Sequence, residues 1–142
     1  MPRLKLNFPE KYCFECELPV MIGDINYGNH LGNDAVLRLI HEARLRFLKS
    51  RGFSEISVGE GVGLIMVDAQ IQFKTQAFHG DSLLIRLAVE DWNSLGFELS
   101  SLLLRISDQK EIARTKTGFV CFDYQKGRIA PVPLFFKEAL SS

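Results

Sequence analysis

The 142-residue sequence lacks an excess of charge, a long apolar run and a dense set of cysteines, and each absence excludes a class of function. Seventeen Lys and Arg balance seventeen Asp and Glu, so no basic field draws in nucleic acid or an anionic membrane surface from a distance. An anionic ligand must therefore be met locally. No stretch approaches the roughly 20 apolar residues of a membrane-spanning helix, and the opening "MPRLKLNFPEKYCFE" has no apolar signal-peptide core. The expectation is a soluble, cytoplasmic protein with neither nucleic acid nor membrane as partner. Cys13 and Cys16 form a C-x-x-C inside "KYCFECELPV", which reads as a strand, where residues three apart point to opposite faces. Cys121 lies far along the chain and no second Cys or His pair stands at ligand spacing, so no metal or redox site is expected. The three cysteines are read as reduced, mostly buried thiols. Repeats, low-complexity tracts and linkers are absent too, which suggests one domain over residues 1–142.

What is present is enough apolar material for a core, 46% hydrophobic with 11% aromatic, arranged in two different periods. Val36, Leu37, Ile40, Ala43, Phe47 and Leu48 fall on one helical face, with Arg38, Glu42, Arg46 and Lys49 elsewhere. Asn33 is the expected N-cap, Asp34 suits the positive end of the dipole, and Gly52 follows Arg51 as a left-handed cap. Beyond it the period becomes two: Val67, Ala69, Ile71 and Phe73 alternate with Asp68, Gln70, Gln72 and Lys74. "SLLIRLAVEDW", "FELSSLLLRI" and "IARTKTGFVCFDY" follow as strands joined by short turns, and "VPLFFKEAL" closes as a short helix. With a strand at about 12–20, the order is strand, long helix, four strands. A helix of roughly 18 residues is about 27 Å long and can cover one face of such a sheet. It cannot cover both faces and edges, so a sheet edge or helix flank is expected to meet a second copy.

The stretch "GDINYGNHLGNDAVLRLIHEAR" crowds short polar side chains against the start of that helix. A helix N-terminus leaves about four N–H groups without internal partners and carries partial positive charge. It can stabilise an oxygen on which negative charge develops during acyl transfer. Asp24, Tyr27 and His30 are the titratable side chains of "GDINYGNHLGN", and Asp24 and His30 are candidates for a nucleophile or base. The competing reading makes these residues caps and hydrogen-bonded loop staples.

The same residues resemble the hot-dog-fold acyl-CoA thioesterases of the 4-hydroxybenzoyl-CoA thioesterase-like branch. Their D-x-D-x-x-G-H-x-N-N motif leading into E-x-A-R is matched by Asp24-Ile25-Asn26, by His30-Leu31-Gly32-Asn33 and by Glu42-Ala43-Arg44. The "FHGDSLLI" and "GRIAPVP" segments are similar to later family landmarks. The resemblance implies an α+β hot-dog fold, an antiparallel five- to six-stranded sheet wrapped around one long central helix. It implies hydrolysis of a thioester on coenzyme A or acyl carrier protein, with no metal or other cofactor. The second acidic position would carry the catalytic carboxylate, and here it is Asn26, an amide that cannot act as a base. Asp24 is the expected replacement, with Glu42 on the helix as the alternative, or Asn26 orients water or substrate. The resemblance further implies that the Asn33 backbone N–H is the oxyanion donor, that His30 positions the thioester or the acid, and that Tyr27 lines the acyl channel. "FELSSLLLRI" is expected to add wall residues to that channel.

A homodimer or homotetramer is the implied assembly. Two rivals remain at this level: a non-catalytic acyl-CoA-binding or dimerising module that lost activity with the acid at position 26, and a hydroxyacyl-thioester dehydratase pairing His30 with Glu42. "GEGVGL" at 59–64 suggests a phosphate loop but lacks the flanking strand and helix, so a turn is expected.

Overall fold

A computed structural model describes residues 3–141. The first strand, β1, is Phe14–Pro19; after a single 3-10 turn at Ile22–Asp24 comes the long helix α1, Asn33–Ser50. Four strands follow, β2 Val62–Phe73, β3 Ser82–Glu90, β4 Gly96–Arg105 and β5 Glu111–Asp123, then a two-residue β6, Arg128–Ile129, and helix α2, Leu134–Ser141. All pairings are antiparallel, in the order β1-β3-β4-β5-β2 with β6 on β5. This is the α+β hot-dog architecture.

The helix buries Ala35, Val36, Leu39, Ile40, Ala43, Arg44, Phe47 and Leu48. They pack on Leu83, Ile85, Leu87, Leu99, Leu103, Ala113 and Phe119 from the sheet. The buried stripe is therefore set one position from the expected one: Leu39 is inside and Leu37 only half-buried. The start of α1 also differs. Gly32, not Asn33, is the N-cap, extended at φ −71° and ψ 151°, and Asn33 is the first helical residue. A Cβ on Gly32 would lie 2.7 Å from Asp34 Oδ1, so a side chain there would displace the exposed Asp34 carboxylate. At the other end Gly52 takes φ +86°, the left-handed cap foreseen after Arg51.

In β2 the alternation holds for Ala69, Ile71 and Phe73, which pair with Thr117, Thr115 and Ala113 on the helix-side face. Val67 breaks it: a bulge between Met66 and Asp68 leaves Val67 unpaired and Met66 facing Phe119. Three consecutive leucines of β4 divide between the faces. Leu103 enters the core, whereas Leu102 and Leu104 are buried on the opposite face. Across that face runs the N-terminal segment. Leu6 N–H donates to Gln72 Oε1 at 2.9 Å, Arg114 Nη1 donates to the Leu6 carbonyl at 3.0 Å, and Arg86 stacks over Tyr12 at 4.7 Å. The apolar third of "FELSSLLLRI" thus serves core and strap.

Gly59, Glu60 and Gly61 all have positive φ and lead directly into β2, a turn and not a phosphate loop. Cys13 donates its thiol hydrogen to the Leu87 carbonyl, Cys16 lies in β1, and both are half-buried. Burial raises both thiols above their ordinary range and pushes Cys121, inside the core, up to about 11.

Candidate active site

The loop between the 3-10 turn and α1 is closed like a small hairpin. Ile25 and Leu31 form an isolated bridge, Asn26 N–H donates to the His30 carbonyl at 3.0 Å, and Asn29 turns the chain at φ +64°. Asn26 Oδ1 accepts from Gly28 N–H at 2.9 Å, the side-chain staple expected of Asn in such a turn. Two outside contacts seat the hairpin on the helix start: Gly32 N–H donates to the Asp24 carbonyl at 2.9 Å, and Leu31 N–H to the Ala77 carbonyl at 2.7 Å. Position 77 belongs to the β2–β3 connection, so the end of β2 and the opening of α1 face each other.

Between them is a cavity of about 600 Å³, lined by Asn26, Tyr27, His30, Leu31, Asn33 and Val36 on one side. Phe73, Lys74, Thr75, Gln76, Ala77 and Ile112 form the other side. At its edge α1 opens with donors to spare. Among the described residues Asn33 N–H has no hydrogen-bond partner, while Ala35 N–H is taken by the Gly32 carbonyl and Asp34 N–H is met by its own carboxylate, which folds back over the helix start. The first turn therefore offers the preorganised Asn33 N–H and the positive end of an 18-residue helix to an oxygen in the cavity.

Four expected residues, Asn26, Tyr27, His30 and Asn33, are brought together here. Tyr27 is fully exposed at the rim and packs against nothing. His30 Nδ1 lies 3.2 Å from the Leu31 carbonyl. Two expected residues are elsewhere. Asp24 Oδ2 accepts the Met21 N–H at 2.9 Å, its Oδ1 lies 3.6 Å from Arg38 Nη2, and it is absent from the cavity wall. Glu42 stands half-exposed, paired with Arg46 at 2.8 Å one turn along the helix. No residue of β4 lines the cavity.

The far wall, 73–77, carried no motif; its only trace in the sequence is that alternation stops after Lys74. Arg44 was equally hard to place. It lies 93% buried, stacked over Phe119 at 4.9 Å, with Nη2 donating to Glu55 Oε2 at 3.2 Å, while Nε and Nη1 find no partner among the described residues. Burial lowers its pKa, with Glu55 opposing.

An antiparallel sheet wrapped on one helix, with a polar loop and a cavity at that helix's N-terminus, defines a hot-dog enzyme built for carbonyl chemistry. Residues 20–140 match the family model described as "Thioesterase-like superfamily", and the chain belongs to that family. It is 28% identical over 130 residues to a 1,4-dihydroxy-2-naphthoyl-CoA hydrolase of Synechocystis sp., the match covering 89% of this chain and 94% of the relative. The crystal structure of a 1,4-dihydroxy-2-naphthoyl-CoA thioesterase from Synechocystis superposes with a TM-score of 0.82 at 27% identity, covering 91% and 96% of the two chains. A Staphylococcus aureus protein solved in complex with CoA shares the fold at a TM-score of 0.82 and 17% identity, covering 96% of this chain and 86% of that one.

Proposed function

We infer that the protein is an acyl-CoA thioesterase, hydrolysing a thioester to a free acid and a thiol at the opening of α1. The observation that carries this reading is the unpartnered N–H of Asn33 at the positive end of α1, on the wall of a cavity of about 600 Å³. A thioester carbonyl placed there has its developing oxyanion met by a backbone donor worth on the order of 3 kcal/mol of barrier. No cofactor enters the reaction, since a thiolate leaves readily.

Coenzyme A rather than acyl carrier protein is the proposed carrier and an aromatic ring the proposed acyl group. The Synechocystis relative's named substrate supports both. Phe73, Val36 and Ile112 on the cavity wall are suited to a ring. The working unit is a homodimer. Met66 and Phe73 stay exposed on the helix-side face of β2, and β2 is an edge strand with no neighbour beyond it. A homotetramer would need a further interface. Cytoplasmic location belongs to the same proposal, and no helix among the described residues is long and apolar enough to cross a membrane.

The test is release of free thiol from benzoyl-, hydroxybenzoyl-, naphthoyl- and straight-chain acyl-CoAs by the purified protein. Turnover led by an aromatic substrate is expected. Binding of these thioesters without thiol release would instead make the chain an acyl-CoA-binding module, the reading that Asn26 in place of the family acid favours.

A further inference from the structure

We propose that His30, not a carboxylate, is the general base of thioester hydrolysis in this protein; the inference rests on the thioesterase reading above. The tautomer of the ring follows from its surroundings. Nδ1 lies 3.2 Å from the Leu31 carbonyl, which only accepts, so Nδ1 carries the hydrogen and Nε2 of the neutral ring carries a lone pair. Nε2 has no hydrogen-bond partner among the described residues. It lies against Gly28, where a Cβ would come within 3.2 Å of it and 3.3 Å of Asn26 Oδ1, so two cavity-lining residues, His30 and Asn26, flank one glycine of the loop. A larger residue at position 28 would crowd Nε2.

The carboxylates are committed elsewhere. Among the described residues no Asp or Glu lines the cavity. Asp24 is held by Met21 N–H and Arg38, and Glu42 by Arg46. The other titratable groups on the wall are Tyr27 and Lys74, and Lys74 faces Glu111 at 3.5 Å. Asp34 at the helix start is paired with Arg38 at 3.0 Å. Lysine and tyrosine are protonated near neutrality, which leaves one basic lone pair, on Nε2. An amide at position 26 is then no defect. With Oδ1 fixed by Gly28, the Asn26 Nδ2 is free to donate to water or substrate.

In the step itself, Nε2 takes a proton from water while the water oxygen bonds to the thioester carbon. The carbonyl π pair moves onto its oxygen, held by the Asn33 N–H at the opening of α1. Collapse re-forms the carbonyl and breaks the carbon–sulfur bond; the pair leaves on sulfur, and the imidazolium proton passes to the thiolate. Thioester and water become acid and thiol, and His30 returns neutral.

The deciding variant is His30→Asn, whose amide nitrogen occupies roughly the place of Nδ1 and keeps the bond to Leu31 while deleting Nε2. Expected are an unchanged melting temperature, a KM within a few-fold, a kcat at least about 100-fold lower, and partial restoration by imidazole in the buffer. A kcat within a few-fold of the parent, or a loss that imidazole does not reverse, overturns the assignment. So does loss of turnover in Asp24→Asn or Glu42→Gln while His30→Asn stays active. A parent protein that hydrolyses no acyl-CoA removes the thioesterase reading and this one with it; an active parent with an active His30→Asn removes only this one.

Discussion

At Asn33 the backbone, not the side chain, is the functional group, and that makes the site testable by proline. Asn33 is the first residue of α1, its N–H has no partner among the described residues, and Gly32 before it is already extended at φ −71°, ψ 151°. Proline is well tolerated at this helix position and requires such a conformation before it. Asn33→Pro should therefore fold normally by circular dichroism yet lose about 100-fold or more in kcat, far more than Asn33→Ala, which retains the N–H. Equal losses would mean that the side chain alone matters. Arg44 makes a second residue-scale prediction. Its guanidinium is buried with a single anionic partner, so Glu55→Ala strands a charge and should cost about 2 kcal/mol, reduced from the fully buried case because Glu55 is partly exposed. Arg44→Met removes the charge itself and should cost less, a ranking that urea melts of the two variants check.

Among the elements, α1 and the strands were legible because their periods are long and consistent, and Gly52 marked the helix end by the left-handed conformation it supplies. Three features escaped. The N-cap falls at Gly32, which has no side chain to signal it, and Asn33 is drawn into the first turn. The bulge at Val67 is a property of the β2–β5 pairing, where Met66 faces Phe119 and Asp68 faces Gly118, and the alternation read through Val67 gives no sign of it. Arg44 recurs at the spacing of the buried stripe, four residues after Ile40 and four before Leu48, but arginine ordinarily signals an exposed face. For the site, the near wall was written in one contiguous stretch, Asn26 to Asn33, whereas the far wall arrives through strand pairing from residues without a chemical signature. Asp24 shows the limit of motif reasoning. Its carbonyl accepts the Gly32 N–H next to the site, but hydrogen bonding turns its carboxylate toward Met21 and Arg38. Strand β2 carries the element-scale prediction: Met66→Glu puts a charge on its exposed helix-side face, and the proposed dimer should dissociate to monomer by light scattering. A dimer unchanged in mass would mean that another surface joins the copies.

For the whole molecule, balanced charge does not mean pH-insensitive stability. Arg114 beside Glu111, Lys116 beside Asp91 and Arg105 beside Asp108 hold these carboxyls below their ordinary pKa, as Arg38 does for Asp34. Folding favours the ionised forms, so their contribution is fully present above the ordinary carboxylate range and is lost as pH falls through the lowered values. Melting temperature should therefore decline from about pH 5 downward, and Glu111→Gln should flatten the decline. A profile equally steep in that variant would place the acid sensitivity elsewhere. The strap formed by residues 4–12 shares in this, because Arg114 bonds both Glu111 and the Leu6 carbonyl.

The account turns on where the carbonyl oxygen sits. A crystal structure with a ketone analogue of an aromatic acyl-CoA, a methylene inserted between sulfur and carbonyl, measures that directly. The prediction is a carbonyl oxygen about 3 Å from Asn33 N–H, with His30 Nε2 facing the carbonyl carbon across one water. An analogue bound with its carbonyl away from the opening of α1, or on a wall that includes neither residue, would contradict it.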